Sequence, residues 1–385
     1  MDFALSDLHR QVQEMARDFA TREVAPHAAR WDEEERFPQE IVPRLAELGF
    51  LGIRLDPAYG GAGLDTLCYA LVVEALAAVD GSLALTVASH NGLASTHIAT
   101  FASDALKERY LPRLARGEIL GAWALTEPDS GSDAAGLRTR AQRHGATWRI
   151  SGSKTFITQG SVGGVCVVLA STAPERRQHG ITAFALEPSM PGYQASRHIR
   201  KLGCRSSDTV ELSFSDVAVD DGQRIGAVDH GFIDALQILE RGRISIAAMA
   251  LGLGEGALKA ACEYARQRQQ FGRPIAKFQA IQWLLADSRT ELDAARLLTY
   301  RAAWAADQQR GPALRCQAAQ AKLFASEAAT RVCNRALQVL GGYGYSRDFP
   351  VERALRDAKL CEIGEGTSQV QRLLIARHLL ARTQG

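Results

Sequence analysis

The 385-residue chain has no disulfide framework. Its seven cysteines (Cys68, Cys166, Cys204, Cys262, Cys316, Cys333 and Cys361) are odd in number and contain no Cys-x-x-Cys pair, so a reducing compartment is expected. Neither sign of charge is in surplus. Lys+Arg number 45 and Asp+Glu 43, and a net charge of +2 gives no electrostatic pull toward nucleic acid or an anionic membrane surface. No apolar run is long enough to span a bilayer. The first residues, MDFALSDLHRQVQEMARDF, are interrupted by acids and match neither a signal peptide nor an Arg-rich transit peptide. A cytoplasmic protein is therefore expected. Nine histidines are scattered without His-x-x-x-His or His/Cys ligand spacing, and His90 and His97 stand two helical turns apart, so no metal is expected. A Gly-x-Ser-x-Gly elbow is also missing, which removes support for an α/β-hydrolase.

What is present is a globular composition, 46% hydrophobic and 23% charged, over a length that suggests two or three domains. The first third reads as helices. Leu8, Val12, Met15 and Phe19 form one stripe, with Ser6 where an N-cap belongs. Further helices are expected from about Pro38 to Leu48, across DTLCYALVVEALAAVD, and from Ser103 to Arg116. From about Gly145 to Val219, short β-branched or alternating runs (TWRIS, KTFIT, VCVVLAS, ITAFALE, VELSFSDVAV) alternate with breakers, which predicts a compact antiparallel β-domain. Long Ala-rich helices follow. One runs from Gly231 to about Gln269, Pro274 and Pro312 each suit the first turn of another, and a last helix begins near Ser368, which has capping-box spacing to Gln371. The expected class is α+β: an all-α domain (1–122), a middle antiparallel β-barrel-like domain (123–230) and a C-terminal four-helix bundle (231–385).

GLGEGA, Gly252 to Ala257, matches the dinucleotide pattern G-x-G-x-x-A. It lies inside a long helix with no β/α alternation around it, so Ala247, Ala250, Gly254 and Ala257 are read as small residues that let helices approach. Three other segments carry chemistry. AWALTEPDSGSDAAG (122–136) offers free backbone N–H groups and hydroxyls to a polar ring edge, though alone it reads as an Asx/Ser-rich turn. QVLGGYGYSRDFPVERALRDAK (338–359) has glycines that permit close backbone approach, and alone reads as a helix cap and turn. CEIGEGTSQVQRLLIAR (361–377) sets Glu365 between two glycines ahead of a helix. There a carboxylate gains from the helix dipole, and a nearby apolar ligand would raise its pKa.

Together these segments resemble the acyl-CoA dehydrogenase family. Residues 124–136 resemble its first signature; Gln338, Gly341, Gly342, Gly344, Asp348, Arg353 and Asp357 resemble its second; RQRQQFGRPIAKFQAIQWLLAD (266–287) resembles its flavin-contacting segment. The resemblance covers essentially the whole chain and suggests a short- or branched-chain-like bacterial member. It implies FAD as cofactor. Trp123, Leu125, Thr126, Gly131 and Ser132 would contact the isoalloxazine, with Phe156 and Thr158 beside the ring. Arg268, Phe271 and Gln279 would hold the pyrophosphate and adenosine side from a neighbouring subunit, and Gln338, Gly341 and Gly342 would add contacts across that interface. Thr367 and Gln369 would make the last cofactor contacts. Ser132, Glu240 and Arg243 would lie near CoA and Gly364 beside the acyl group. The resemblance makes Glu365 the base that removes the α-proton while hydride leaves the β-carbon for flavin N5. It also implies a homotetramer, electron transfer to an electron-transfer flavoprotein, and a place in fatty acid or branched-chain amino acid catabolism.

Four positions depart from or vary on the family pattern. Phe156 replaces a common Trp, Gly364 a common Tyr, and Gln369 a common acid. Gly242 occupies the alternative base position of some members and carries no side chain, so Glu365 stands alone. The rival readings are a dehydrogenase of carrier-protein thioesters, a related flavin oxidase, and a non-catalytic helical assembly protein.

Overall fold

The computed structural model describes residues 4–308 and 310–381. Seven helices come first: α1 (Asp7–Phe19), α2 (Ala25–Glu34), α3 (Val42–Glu47), α4 (Thr66–Ala77), α5 (Gly81–Ser89), α6 (Thr96–Phe101) and α7 (Asp104–Ala115). Single π-turns at Ala20–Val24 and His90–Ser95 join α1 to α2 and α5 to α6 into nearly continuous rods. Ser6 caps α1, its hydroxyl accepting from His9 N at 3.3 Å. The buried stripe of α1 is Val12, Ala16 and Phe19, whereas Leu8 and Met15 are exposed, a correction to the expected stripe. The packed face is narrower than a count of large residues suggests, and the fully buried Ala16 lies within it, on the side of the chain that packs against α4.

The middle of the chain forms β1 (Gly121–Ala124), β2 (Arg140–His144), β3 (Thr147–Thr158), β4 (Val165–Ser171), β5 (Ile181–Leu186), β6 (Tyr193–His198), β7 (Thr209–Asp220) and β8 (Arg224–Ile225) in one sheet of order β6-β7-β3-β2-β4-β5-β8. Most pairs are antiparallel, but β1 runs parallel to β4 and β2 meets β4 in parallel at Arg140↔Ser171, so the sheet is mixed. It folds over a core of its own that includes Trp148, Ile150, Phe184 and Val217. The other face of β4 and β5 packs on residues of α6 and α7. In β3 the pairing with β7 slips between Ile150 and Gly152 and again between Lys154 and Ile157. The second slip falls at Phe156, whose φ is 57°, and it turns that ring outward.

The C-terminal third holds α8 (Gly231–Gln267), the short hairpin of β9 (Gln269–Gln270) and β10 (Arg273–Pro274), then α9 (Gln279–Gln308), α10 (Pro312–Leu340), α11 (Val351–Ile363) and α12 (Ser368–Ala381). Pro312 opens α10 as expected, while Pro274 both ends the hairpin and stands as N-cap of a short 3-10 turn, Ile275–Lys277, ahead of α9. The helix start near Ser368 is capped one residue earlier: Thr367 Oγ1 accepts from Val370 N at 3.3 Å. Contrary to expectation, α8 is long and apolar enough to cross a membrane. However, 78% of its apolar window is buried inside the protein, which makes it the core helix of the bundle.

GLGEGA is a packing device. A Cβ on Gly252 would fall 2.1 Å from Glu74 O and one on Gly256 2.1 Å from Ala78 O, so α8 lies directly on the backbone of α4 and its C-terminal turn. Gly254 faces Leu292 of α9. The closest approaches are thus at Gly252 and Gly256, while Ala247, Ala250 and Ala257 are simply buried. At the junction of all three parts, Arg356 of α11 reaches Asp32 of α2 at 2.7 Å, and Asp357 accepts from Cys204 N at 2.6 Å. Arg353 adds a bond to Val79 O at 3.2 Å. These bonds anchor α11, which ends just before Glu365.

Because neither helix backbone can retreat, Gly252→Ala is expected to lower stability by about 1–3 kcal/mol, the usual cost of overpacking. A thermal melt of the two proteins checks this, and an unchanged midpoint would mean α4 and α8 can slide apart.

Candidate active site

The corner that carries Glu365 is built from residues 363–371. Helix α11 ends at Ile363, Gly364 is extended (φ −65°, ψ 151°), Glu365 has φ 53° and Gly366 φ 92°. A glutamate in left-handed backbone is strained, and it persists because its neighbours fix it. Gln371 Nε2 donates to Glu365 O at 3.3 Å and to Gly366 O at 2.8 Å, and Lys322 Nζ donates to Gly366 O at 2.8 Å. Both Gln371 and Lys322 are fully buried.

The carboxylate folds back onto α8. A Cβ on Gly242 would lie 1.9 Å from Glu365 Oε2, so the carboxylate fills the space a side chain at 242 would need. Glu365 Oε2 is buried with no hydrogen-bond partner. Burial lifts its pKa to about 7 against the opposing pull of Arg243 and Lys322. Arg243 is itself buried, with Nε and Nη1 unpartnered. A carboxyl group that is desolvated, aimed into its site and poised near neutrality is equipped to take a proton from a weak carbon acid.

The second segment lies along β1 and β3. Trp123 Nε1 donates to His97 Nδ1 at 3.0 Å. Thr155 N donates to Thr126 O at 3.0 Å, which sets the segment from Leu125 beside Phe156 and Thr158. Phe156 is 64% exposed and presents its ring to open space. A Cβ on Gly131 would meet nothing, Ser132 is exposed, and Leu125 is buried beneath them. Sequence reasoning missed what holds this segment. Lys154 Nζ, fully buried, donates to Glu127 Oε1 at 2.8 Å and to Leu125 O at 3.0 Å. Glu127 also accepts from Thr139 N at 2.9 Å and Arg138 N at 2.5 Å. A signal was available: Lys154 shares the inward parity of Trp148 and Ile150.

A third group gathers elsewhere. Arg268, Phe271, Gly341 and Gly342 line a cleft of about 740 Å³ with Phe278 and Tyr343. The Arg268 guanidinium lies 5.5 Å from the Tyr343 ring centre, and Phe271, at φ 53°, is 93% exposed. A Cβ on Gly341 or Gly342 would meet nothing. Gln279 and Gln338, at the start of α9 and near the end of α10, are exposed but do not line the cleft. None of residues 123–132, 156–158 or 364–369 lines it either. Thr367 and Gln369 follow Glu365 into α12, with Gln369 exposed. Of the positions assigned to CoA, Glu240 is buried and paired with Arg315 at 2.6 Å, and Arg243 stands beside Glu365.

Fold and site define a class: a helical protein with a sheet in its middle that holds a desolvated carboxylate at the corner leading into its last helix. The comparisons narrow it. The N-terminal, middle and C-terminal domain models of acyl-CoA dehydrogenase match residues 6–118, 122–217 and 229–380. A probable acyl-CoA dehydrogenase, YngJ, of Bacillus subtilis is 44% identical over 99% of this chain and 100% of its own. A short-chain specific acyl-CoA dehydrogenase of Clostridium acetobutylicum is 43% identical over 98% of this chain and 99% of its own. The butyryl-CoA dehydrogenase of Megasphaera elsdenii superposes with a TM-score of 0.96 at 40% identity, covering 99% of this chain and 100% of that one. The chain belongs to the acyl-CoA dehydrogenase family.

Burial favours the protonated form of Glu365, so the folded protein binds its proton more tightly than the unfolded chain. Stability from this group is present below about pH 4.5 and is lost as pH rises through about 7. Glu365→Gln removes that loss. The Tm advantage of the variant over the parent should therefore grow between about pH 4.5 and about pH 8. A difference that stays flat across this range would show that Glu365 is not desolvated.

Proposed function

We propose that this chain is an FAD-dependent acyl-CoA dehydrogenase in which Glu365 removes the α-proton of an acyl-CoA thioester. The observation that carries the assignment of Glu365 is its buried, unpartnered Oε2 lying against the bare backbone of Gly242.

The chain fits the cofactor. Phe156 and the open backbone around Gly131 suit a flat ring with a polar edge, and Arg268 with Gly341 and Gly342 suits a pyrophosphate and its nucleoside. A structural neighbour, a glutaryl-CoA dehydrogenase from Mycobacterium smegmatis, is described in complex with FADH2. When bound, FAD takes up the β-hydrogen with its electron pair. The protein does the rest. Trp123, Leu125, Thr126, Gly131, Ser132, Phe156 and Thr158 would hold the ring, and Thr367 and Gln369 would make the last cofactor contacts. Glu365 accepts the α-proton. Gly364 leaves room beside the acyl group, since a Cβ there meets nothing nearer than Leu360 O at 3.5 Å. Glu240, Arg243 and Ser132 border the path of the CoA arm.

The separation of the two cofactor groups on one chain supports a site completed by a second copy. Arg268, Phe271 and Gln279 of one protomer would hold the pyrophosphate and adenosine side of the FAD bound by another, with Gln338, Gly341 and Gly342 adding contacts across that interface. Exposed apolar side chains across the C-terminal part, Trp283, Leu297, Trp304, Tyr345, Leu379 and Leu380, support burial in a homotetramer. Electrons pass to an electron-transfer flavoprotein; a 41% identical solved chain with TM-score 0.97 comes from a study of the electron transferring flavoprotein of Acidaminococcus fermentans. The odd cysteine count without a Cys-x-x-Cys pair fits a cytoplasmic setting.

Glu365→Gln should abolish dye-coupled turnover while FAD and thioester still bind, because the lost interaction belongs to the transition state. Glu365→Gly with Gly242→Glu should recover part of the activity, since the two positions share one space and a displaced base is costly. Normal flavin reduction by substrate in Glu365→Gln would overturn the assignment. Arg268→Ala should loosen FAD in equilibrium dialysis. Sedimentation of a stable monomer that retains FAD would refute the shared site.

A further inference from the structure

Glu365 marks where the α-carbon of a substrate must stand, and α8 offers two directions from there. Toward its N-terminus lie the buried Glu240–Arg315 ion pair and the charged Arg241. An apolar acyl tail would strip those charges of their surroundings, at high cost. Toward the C-terminus, one helical turn on, lies Ser245, whose hydroxyl donates to Gly242 O at 2.8 Å.

Two other elements close on that same point. Tyr69 of α4 sends its hydroxyl there, donating to Ala88 O at 2.7 Å. A Cβ on Gly92, in the π-turn after α5, would lie 2.8 Å from Tyr69 Oη and 3.7 Å from Ser245 Oγ. Tyr69 and Ser245 are both fully buried. Burial first, and then the charge of Glu365, raise the pKa of the Tyr69 hydroxyl above its ordinary value. The bond to Ala88 O tethers the ring, since swinging it aside leaves a buried donor and acceptor unmade.

We propose that Tyr69 is the floor of the acyl pocket and sets the longest acyl chain that Glu365 can serve. This rests on the reading of Glu365 as the base and extends it to substrate length. A straight acyl group entering along α8 from Gly242 meets the Tyr69 ring one helical turn from the carboxylate. Each further methylene must displace a tethered aromatic side chain, so the enzyme favours short acyl chains. The ring's bulk is the stop, and the hydroxyl serves to hold it in place.

The test compares the parent with Tyr69→Phe, Tyr69→Leu and Tyr69→Ala, all flavin-loaded and full length. Dye-coupled kcat/KM is measured over straight acyl-CoAs from butyryl to dodecanoyl. Equilibrium binding of the same thioesters is measured with each substitution in the Glu365→Gln background, where turnover does not interfere. Tyr69→Leu and Tyr69→Ala should raise the octanoyl-to-butyryl ratio by roughly tenfold or more in both measurements, the scale of a misfitted methylene. Tyr69→Phe should stay within about twofold of the parent, because the ring remains. If Tyr69→Ala fails to fold, Tyr69→Leu decides. The proposal is overturned if the Leu variant keeps the parent ratio, or if Tyr69→Phe shifts it as far as Tyr69→Leu does. A parent that turns over no acyl-CoA of any length would sink the dehydrogenase reading instead, and the binding measurement would still decide the role of Tyr69.

Discussion

The carboxylate of Glu365 and a side chain at position 242 compete for one volume, and the glycine at 242 yields it to the carboxylate. Most of the surrounding architecture serves to keep that arrangement. Glu365 holds a left-handed backbone that a glutamate does not choose on its own, so the conformation has to be imposed. Gln371 and Lys322 impose it through the carbonyls of Glu365 and Gly366, and they are buried so that water does not compete for those bonds. With its shape fixed from behind, the corner presents a buried oxygen that no donor of the described residues reaches. That combination lifts the pKa toward neutrality, and it does so without a neighbouring negative charge.

The corner is only as well placed as the helices on either side of it. α11 leads into it and is tied to the first and middle parts of the chain by Arg356–Asp32, Asp357–Cys204 and Arg353–Val79. α8 supplies the other wall, pressed onto α4 by the missing side chains of Gly252 and Gly256. The residues of the second signature that face away from any ligand cleft, Arg353 and Asp357, therefore act on the site from a distance. They set where α11 ends, and so where Glu365 begins.

Elements with strong periodicity were legible in the sequence: the long helices, the strand-rich middle and the caps at Ser6 and Pro312. The errors have physical causes. Side-chain size puts Leu8 and Met15 on the stripe of α1, but both stay in solvent, and the buried face is Val12, Ala16 and Phe19. Ser368 looks like a cap by spacing, yet Thr367 takes the role because Gly366 turns the chain one residue sooner. Of the small residues expected to let α8 approach its neighbours, Gly254 does face α9 closely, while the tightest backbone contacts fall at Gly252 and Gly256, which the nucleotide pattern disguises. The segments of the candidate site were readable, but their supports were not. Lys154 and Lys322 look like ordinary solvated lysines until the inward parity of β3 and the alanine face of α10 are taken seriously.

Those two lysines share a logic that ties the site together. Each is a cation withdrawn from water, and burial holds the pKa of each down to about 8. Each spends its donors on main-chain carbonyls: Leu125 O for Lys154 and Gly366 O for Lys322. A main-chain carbonyl offers no sequence information, so the lysine fixes where the backbone runs and leaves the side chains free for the ligand. Lys154 does this for the segment around Leu125 and Lys322 for the corner that carries Glu365. Lys154 keeps a full partner in Glu127, whereas the field of Lys322 falls on Glu365 and opposes the rise of its pKa. Arg243, and after it Lys322, thus hold Glu365 short of the value that burial alone would impose, near the pH at which a carboxylate can both receive and release a proton.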